Sequence, residues 1–409
     1  MKVLFLSPYV YDPNLKEFSK NKTGFGMMVK DIFDQVSQTE QATMVTHVLT
    51  NGHGRLQKHT LFQVLGYAKP KEWFDAYIAF VQKKGSIASR LKQAYYTLDK
   101  GYLRYVISDF SPDIIHLHGL DEGCVCYLEI CEKSKIPYLI TLHGLIKNDS
   151  YASKNDRAIE RTYLKRFEKN GNTVSVISTG IRDKLQKDSY YDIKRIDNTT
   201  VITNGIDIHP RNAVLDIRNE YGIPASAKIV LSVGSVSHIK NQLQVVRAYN
   251  KLPEDLKMNL WVILIGTINQ NYPIREEVNK NDNAMHILLT GFVPHEFLSS
   301  YYSEADLVVL ASKSEGFGLS LVEGFVYGVP SVTFADLDAV PDIYNENAMM
   351  LCTERTDEAL ANTMAAALKK EWNHEWIREY SKRFSLEHMG DRYLDLYQSV
   401  LEKARRHDG

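Results

Sequence analysis

The chain has 409 residues, of which 44% are hydrophobic and 24% are charged. This length is sufficient for two hydrophobic cores, so we expect two domains rather than one. The 49 Lys and Arg residues nearly balance the 50 Asp and Glu residues, which argues against a nucleic-acid-binding protein.

Charge is distributed unevenly along the chain. Residues 1–200 hold 29 Lys and Arg against 22 Asp and Glu, a surplus of seven positive charges, whereas residues 201–350 hold 10 against 17, a surplus of seven negative charges. A basic first half suits an acidic substrate or an anionic membrane surface. A difference of this size is also common on ordinary solvated surfaces, so both interpretations stay open.

The N-terminal residues predict a first strand rather than a signal peptide, because Pro8 and Asp12 end the apolar run that follows Met1. No later segment offers the roughly 18 uninterrupted apolar residues of a membrane-spanning helix. The four cysteines are too few for a disulfide framework, so we expect reduced thiols. We therefore expect a cytoplasmic protein without a transmembrane segment.

Apolar runs of strand length alternate with longer helical stretches, in two sets. The first set is 2–6, 44–49, 113–118, 137–142 and 173–177, and the second is 228–233, 260–265, 286–289, 306–311 and 330–334. Such alternation predicts two α/β domains, each with a doubly wound parallel sheet. We place the domains at 1–204 and 205–386. Ligands bind beyond the carboxyl ends of such strands, so we expect the active site in a cleft between the domains.

The segment Ser314–Gly324 is the most informative motif. A buried strand precedes it and a helix follows, and Gly316 and Gly318 let the backbone approach a ligand closely. The N-terminal end of the helix favours a diphosphate. Glu315 lies on the loop and Glu323 about two turns into the helix, and carboxylates accept two hydrogen bonds from neighbouring hydroxyl groups. The motif therefore indicates a site for a sugar nucleotide.

This motif resembles the signature of the retaining GT-B glycosyltransferases called glycosyltransferase family four, group 1. Other segments resemble family motifs in the same order, namely Asp113–His118, Thr141–Gly144, Ile177–Ser178, Val201–Asp207, and Leu231–Gly234 with Lys240. The resemblance extends from Met1 to about Arg383. It implies the GT-B fold, in which two Rossmann-like domains face each other across a deep cleft. It also implies that the last helix, 387–409, packs back on the N-terminal domain.

The resemblance implies transfer of a sugar from a nucleoside diphosphate sugar, expected to be UDP-linked, to a hydroxyl of a saccharide or lipid-linked acceptor. The anomeric configuration is retained, and no cofactor or metal is expected. The usual setting is bacterial polysaccharide or glycoconjugate synthesis. Two alternatives remain: an epimerase of the same fold, which needs no acceptor, and a non-catalytic partner subunit.

The resemblance also assigns roles to individual residues. Glu315 contacts the donor sugar, Glu323 the ribose, His143 the sugar near its 6-hydroxyl, and Lys240 the leaving diphosphate. Glu315, His143 and Lys240 form the expected catalytic set. The remaining donor-binding residues are expected to be Gly24, Gly26, Gly234, Ser235, Gly291, Phe292, Val293, Gly316, Phe317, Gly318 and Leu319.

The chain departs from the family at Ser235, where arginine is usual. Losing a bidentate donor would weaken diphosphate binding by about 1.5–3 kcal/mol unless another cation compensates. This substitution is the feature that favours the non-catalytic alternative.

Several of these residues also have ordinary structural explanations. The sequence Gly24-Phe25-Gly26 is a weak motif by itself, and Thr23 beside it is an equally plausible helix N-cap. We expect His116 and His118 to alternate along their strand, so that only one faces the cleft. The pair Asp336 and Asp338 resembles a metal-binding motif of another glycosyltransferase fold, but a surface loop is the better interpretation.

The segment 82–96 mixes four cations with Ile87, Leu91, Tyr95 and Tyr96. It predicts either peripheral contact with an anionic membrane that carries a lipid-linked acceptor, or an ordinary amphipathic helix on the N-terminal core.

Overall fold

A computed structural model describes residues 1–11, 24–47, 49–52, 55–58, 61–148, 152–195, 198–281 and 284–408. The chain divides into two compact units. Unit 1 comprises Met1–Ile177, Ile181–Gly205 and Leu386–Gly409, and unit 2 comprises Ser178–Gly180 and Ile206–Ser385. Each unit has its own sheet and its own hydrophobic core.

Unit 1 is built on an eight-stranded sheet. In chain order its strands are β1 (Lys2–Leu6), β2 (Gln41–Val45), β3 (Leu49–Gly52), β4 (Arg55–Lys58), β5 (Ile114–His118), β6 (Tyr138–Leu142), β7 (Thr173–Val176) and β8 (Thr199–Val201). Their order across the sheet is β4-β3-β2-β1-β5-β6-β7-β8. Six neighbouring strands pair in parallel, namely β2, β1, β5, β6, β7 and β8. Strands β3 and β4 add an antiparallel hairpin at the edge beside β2.

Helices connect these strands. They are α1 (Gly24–Ser37), α2 (Leu61–Tyr67), α3 (Pro70–Gln82), α4 (Ile87–Phe110), α5 (Val125–Ser134), α6 (Lys154–Asn170) and α7 (Thr179–Lys187). Local sequence sets their ends. Ser153 and Asp156 form a capping box at the start of α6, and Gly171, with a φ of 70°, ends this helix.

Unit 2 is built on a six-stranded parallel sheet. Its strands are β9 (Lys228–Val233), β10 (Leu260–Ile265), β11 (Ile287–Gly291), β12 (Leu307–Leu310), β13 (Ser331–Phe334) and β14 (Met349–Cys352). Their order is β11-β10-β9-β12-β13-β14. The register pairs Leu231 with Ile263 on one side of β9 and with Val308 on the other.

The helices of unit 2 are α8 (Ile217–Tyr221), α9 (Gln242–Lys251), α10 (Glu254–Lys257), α11 (Ile274–Asn279), α12 (Leu298–Tyr302), α13 (Leu319–Val326), α14 (Val340–Ile343), α15 (Asp357–Lys369) and α16 (His374–Ser381). Adjacent residues of β12 show that helices cover both faces of the sheet. Val309 belongs to the core cluster that includes α9 and α15. Val308 points the other way, toward α13, where a methyl group on Gly324 would come within 2.8 Å of it. This explains the apolar composition of β12, which is buried on both sides.

The last helix, α17 (Leu386–Asp408), belongs to unit 1. Its residues Met389, Tyr393, Leu396, Tyr397 and Val400 lie in one core cluster with apolar residues of α1 and of β1. The hydroxyl of Tyr397 is hydrogen-bonded to Nδ1 of His116 on β5 at 2.7 Å. The helix therefore completes the core of unit 1 and satisfies a buried polar group within it.

The predicted fold class, two α/β units with doubly wound parallel sheets, is confirmed. The ten predicted strands correspond to observed ones, but the run predicted at 44–49 is a strand at 41–45. The strands β3, β4, β8 and β14 were not predicted. Each has only three or four residues, and among them only β14 lies in an apolar run, Ala348–Cys352. No helix in the described part of the chain is long and apolar enough to cross a membrane.

The order of strands fixes where a ligand can bind in each unit. Successive connections in unit 2 run outward from β9 through β10 to β11, and then return to β12 on the other side of β9. The equivalent point in unit 1 lies between β1 and β5. A crevice opens at the carboxyl ends of such a strand pair because the helices that follow lie on opposite faces. In unit 2, the loops that follow β9 and β12 carry the predicted residues Lys240 and Glu315.

We predict that Tyr397→Phe lowers the free energy of unfolding by about 1–3 kcal/mol, because it leaves Nδ1 of the buried His116 without this hydroxyl partner. Urea unfolding measures the change. Tyr344→Phe is the control, since Tyr344 is 44% exposed. An equal effect of both substitutions would show that the buried hydrogen bond contributes nothing.

Candidate functional site

The loop between β12 and α13 positions Glu315. Ser312 donates a hydrogen bond from Oγ to Oε1 of Glu315 over 2.9 Å, and the Glu315 side chain is 11% exposed. The loop ends at Gly318, whose φ of 81° lies in the left-handed region, and α13 begins at the next residue, Leu319. A side chain at that φ would strain the backbone, so this turn requires glycine.

Lys240 lies on the loop after β9, and its ammonium group forms an ion pair with Oε1 of Glu315. Its aliphatic stem packs over Gly234, because a methyl group on Gly234 would lie 3.4 Å from Cε of Lys240. Two residues that the resemblance predicts to be catalytic, from separate segments of the sequence, are thus in contact. The contact joins the two loops at the point where the strand order of unit 2 reverses.

Gln242 holds the loop around Gly234 in place. Its buried side chain donates from Nε2 to the carbonyl oxygens of Gly234 and Ser235, each over 3.1 Å. Its Oε1 accepts a hydrogen bond from the backbone N–H of Ser237 over 3.2 Å. These bonds use only the backbone of Ser235, whose side chain is exposed. Serine in place of the usual arginine therefore changes the side chain that a ligand can contact. It does not affect the hydrogen bonds by which Gln242 holds the loop.

Glu323 lies in the second turn of α13, little more than one turn after Leu319, so the expectation of two turns is wrong. Its Oε2 accepts a hydrogen bond from the hydroxyl of Tyr302 over 2.7 Å, and its Oε1 lies 3.6 Å from Nε2 of His295. Burial opposes ionisation of this carboxyl group. The contacts from His295 and Tyr302 outweigh burial and lower the pKa of Glu323 below its usual value, so the group is ionised at neutral pH.

The other predicted residues of the motif have different environments. Phe317 is buried, and its ring centre lies 6.1 Å from that of Phe384, so it anchors the loop in the core of unit 2. Gly316 is partly exposed beside Glu315. The first turn of α13 has backbone N–H groups that cannot bond within the helix. The N–H groups of Gly318 and Leu319, at the start of this helix, can therefore donate hydrogen bonds to an anionic ligand.

Gly291, Phe292 and Val293 lie at the carboxyl end of the edge strand β11. Gly291 has a φ of 73°, and its carbonyl oxygen accepts a hydrogen bond from the N–H of Gly266 over 2.8 Å. Phe292 is 46% exposed. Strand β10 separates this segment from β9, so these residues are two strands away from the loop that carries Lys240.

Gly24 and Gly26 form the start of α1 in unit 1, whereas Thr23 lies outside the described residues. Gly26 is buried, and its carbonyl oxygen accepts a hydrogen bond from the N–H of Tyr11 over 3.2 Å. A methyl group on Gly26 would lie 2.8 Å from that nitrogen. Packing against Tyr11 therefore explains the glycine at position 26 by itself, without the predicted contact with a ligand.

His143 follows β6 and borders a cavity of about 500 Å³ in unit 1. The loops after β1, β5 and β6 form this cavity together with α4 and α6. The rings of Phe25 and His143 contact each other edge to face, with centres 4.9 Å apart. Burial lowers the pKa of His143 to about 3, so its imidazole is neutral at physiological pH.

The expectation that His116 and His118 point in different directions is wrong. Residues two apart on a strand lie on the same face, and the two rings are in contact with centres 4.0 Å apart. Nδ1 of His118 is hydrogen-bonded to Nε2 of His143 at 3.0 Å, and Nε2 of His116 to the hydroxyl of Thr141 at 2.7 Å. The pair is a buried support for His143, and burial lowers the pKa of both histidines well below the usual value.

The carboxylates that border the cavity are engaged by the protein itself. Glu160 accepts hydrogen bonds from the N–H of Ile146 over 2.9 Å and from the hydroxyl of Tyr191 over 2.5 Å. Asp156 accepts one from the N–H of Glu122 over 3.0 Å. The cavity therefore offers a ligand aromatic surface, and these two carboxylates already have hydrogen-bond donors within the protein.

Four residues of the unit 2 site were not predicted: Ser312, Gln242, His295 and Tyr302. Each supports a predicted residue or its loop through a side chain. Ser312 lies three residues before Glu315 at the end of a strand, and this short spacing could have predicted that the two side chains contact each other. The other three come from segments whose proximity depends on the folded chain.

Asp336, on the loop after β13, is engaged by a cationic side chain of the protein. Both carboxylate oxygens of Asp336 accept hydrogen bonds from Arg355, over 2.7 and 2.8 Å. The structure arranges no group of three or more His, Cys, Asp or Glu side chains for a metal ion among the residues that it describes.

Comparison with protein families gives two matches. Residues 214–384 match the model for glycosyl transferases group 1, and residues 46–209 match the model for glycosyltransferase family 4. TuaC of Bacillus subtilis, named for teichuronic acid biosynthesis, is 24% identical over 260 residues, which cover 63% of this chain and 61% of the relative. The N-acetyl-alpha-D-glucosaminyl L-malate synthase of Bacillus anthracis is 25% identical over 301 residues, which cover 71% and 75%.

Solved structures share the fold over nearly the whole chain. Sucrose-phosphate synthase from Thermosynechococcus elongatus superimposes with a TM-score of 0.73 at 18% identity, covering 98% of this chain and 100% of that one. The Anabaena protein Alr3699/HepE, in complex with UDP and glucose, gives a TM-score of 0.67 at 16% identity, with the same coverage.

We predict that stability falls as the pH is lowered from 7 to 5. The folded state resists protonation of the fully buried His116 and His118, whereas in the unfolded state each titrates near pH 6.5. The unfolded state therefore binds more protons below that pH, which costs about 2 kcal/mol per histidine at pH 5.

Urea unfolding at both pH values tests this. His118→Leu should reduce the pH-dependent difference by about 2 kcal/mol. Met258→Leu, at a position that is 72% exposed and carries no titratable group, should leave the difference unchanged. An unaltered difference in the His118 variant would contradict the prediction.

Proposed function

The chain belongs to the group 1 glycosyltransferases of family four, and from this we propose that it transfers a sugar from a nucleoside diphosphate sugar to an acceptor hydroxyl with retention of the anomeric configuration. The observation that supports this most directly is the contact of Lys240 with Glu315 at the strand reversal of unit 2. It joins a cation suited to a diphosphate with a carboxylate suited to sugar hydroxyls.

Lys240 stabilises the leaving diphosphate in this proposal. The bond between the anomeric carbon and the diphosphate oxygen breaks, and the acceptor oxygen bonds to that carbon and gives up its proton to the departing diphosphate. Negative charge grows on the diphosphate as its bond breaks. An ammonium group has three N–H donors, of which Glu315 engages one, so Lys240 can also bind the diphosphate. The N–H groups at the start of α13 add to this stabilisation.

Glu315 and Glu323 hold opposite ends of the donor in this proposal. Glu315 accepts hydrogen bonds from the sugar, at the 3- and 4-hydroxyls, while Ser312 and Lys240 fix its orientation. Glu323 accepts hydrogen bonds from the ribose hydroxyls, which its lowered pKa supports because only the ionised form accepts at both oxygens. Gly291, Phe292 and Val293 contact the base.

We propose a UDP-linked hexose as the donor, and the UDP and glucose in the structure of Anabaena Alr3699/HepE support this choice. Unit 1 selects the acceptor, for which the cavity beside His143 offers space and aromatic surface. A saccharide or lipid-linked acceptor of bacterial polysaccharide or glycoconjugate synthesis fits the relative named for teichuronic acid biosynthesis. Gly24, Gly26 and His143 are the donor contacts that we assign to unit 1. The cytoplasmic location stays a prediction.

A thermal-shift screen against nucleotides and nucleotide sugars tests the proposal first. Ligand at about 100 times its dissociation constant adds roughly 2.7 kcal/mol to stability, which raises the melting temperature measurably. Incubation of the stabilising donor with and without saccharide acceptors then separates the alternatives, since an epimerase releases its product without an acceptor. No shift with any nucleotide would refute donor binding.

We predict that Glu315→Gln lowers kcat at least about tenfold, equivalent to roughly 1.4 kcal/mol, with little loss of UDP affinity. Contacts to the reacting sugar strengthen in the transition state, and the substitution also leaves Lys240 available to the diphosphate. Glu323→Gln should weaken UDP binding by about tenfold with a smaller effect on kcat, because ribose contacts do not change during transfer.

Calorimetry with UDP and steady-state kinetics measure both effects, and Glu346→Gln, at an exposed position, is the control. Equal effects of Glu315→Gln and Glu323→Gln on both quantities would reject the assignment of the two glutamates.

We also predict that activity persists in excess EDTA, because Lys240 and the start of α13 stabilise the charge that a divalent ion would otherwise neutralise. The assay compares initial rates with and without chelator. Complete loss of activity that manganese restores would contradict this role of Lys240.

A further inference from the structure

An apolar surface is exposed on α3 and the start of α4. Of the 13 large hydrophobic residues that are exposed in the described part of the chain, six lie between residues 73 and 91. They are Trp73, Phe74, Tyr77, Val81, Ile87 and Leu91, which are between 47% and 68% exposed. Such a concentration of exposed apolar side chains is typical of a binding surface.

The exposed apolar side chains of α3 recur at the spacing of one helical turn. Trp73, Tyr77 and Val81 are four residues apart and form one stripe along the helix, while Glu72 and Ala76 lie on the buried face. The exposed stripe is therefore separate from the face that packs on unit 1.

The end of α3 and the start of α4 form one continuous surface. Arg90 donates a hydrogen bond from Nε to the carbonyl oxygen of Phe80 over 2.7 Å, and its guanidinium group lies 4.4 Å from the centre of the Phe80 ring. This contact joins the last turn of α3 to the first turn of α4.

Two aromatic residues of the segment 82–96, Tyr95 and Tyr96, are not part of this surface. The hydroxyl of Tyr95 donates a hydrogen bond to the carbonyl oxygen of His47, and the ring of Tyr96 stacks on the imidazole of His47. The exposed surface instead extends onto α3, which the sequence had not indicated.

Basic residues surround the apolar surface. The segment from Lys69 to Lys92 contains six Lys and Arg residues and two carboxylates, a surplus of four positive charges. Two of these charges are paired outside the segment: the carboxylate of Glu72 forms an ion pair with Arg104, and the ammonium group of Lys83 forms one with Glu122. Lys84, in the turn between the helices, is exposed.

We propose that this face of α3 and α4, containing the six apolar residues and their basic surroundings, docks on a lipid bilayer that carries anionic headgroups. Trp and Tyr have an apolar ring with a polar tip, which suits the boundary between headgroups and acyl chains. The cations attract anionic headgroups. A second copy of the chain is a poor partner, because two-fold pairing of this face would oppose two surfaces with the same positive surplus.

Docking at this face would bring the cavity of unit 1 to a lipid-linked acceptor. Lys92 borders that cavity and follows Leu91 of the docking face directly. This consequence rests on the proposed glycosyl transfer, whereas docking itself does not. Vesicle binding measured without donor or acceptor therefore tests docking independently of transfer.

The test is co-sedimentation of the full chain with phosphatidylcholine vesicles and with vesicles that contain about 30% phosphatidylglycerol. We expect binding to the anionic vesicles only. The double variant Phe74→Ser, Leu91→Ser should weaken that binding at least about tenfold, and Lys84→Glu should weaken it too. Met258→Ser is the control, because Met258 is 72% exposed in unit 2. The double variant should keep the melting temperature of the parent protein.

Absence of binding, or equal binding to both kinds of vesicle, would overturn the proposal. Equal loss of binding in the Met258 variant would also overturn it. Light scattering tests whether a second copy of the chain occupies this face instead. A concentration-dependent dimer that the double variant abolishes would identify the face as a contact between copies.

Discussion

Burial of parallel strands on both faces is the constraint from which the arrangement of this protein follows. A strand such as β12 cannot carry charge, because α13 covers one face and the cluster of α9 and α15 covers the other. Lys240 and Glu315 therefore lie on the loops beyond the strands. Where the strand order reverses, two such loops become neighbours. Lys240 and Glu315, 75 residues apart in sequence, meet for this reason.

The ion pair of Lys240 and Glu315 means that neither residue acts alone. Both side chains are largely withdrawn from solvent, so loss of one partner leaves the other without its counter-charge. Substitutions at the two positions should not be additive, since each changes the charge that the other experiences. The same holds more weakly for Glu323, whose ionisation depends on His295 and Tyr302.

The sequence predicted features that depend on local pattern. The limits of β1, β9 and β10 follow from apolar runs, and the turn before α13 follows from its glycines. Features that depend on distant neighbours were not predictable. The hydroxyl of Tyr302 reaches Glu323 only because α12 and α13 pack in the same unit. The short edge strand β8 lacks an apolar run of its own, and its pairing partner defines it, whereas β14 lies in the apolar run Ala348–Cys352, which the sequence analysis had not assigned to a strand.

One prediction failed although the sequence contained the answer. His116 and His118 are two residues apart on a strand, and this period alone places both side chains on one face. Their environment could not have been predicted, because the partner of His116 is Tyr397, which lies 281 residues further along the chain.

The position of α17 has a consequence for synthesis of the chain on the ribosome. The core of unit 1 includes Tyr393, Tyr397 and Val400, which are translated after every residue of unit 2. Domains usually fold in the order in which they emerge. Here unit 2 is fully translated while unit 1 still lacks its last helix, so the half of the chain that is made first is the half that can finish folding last.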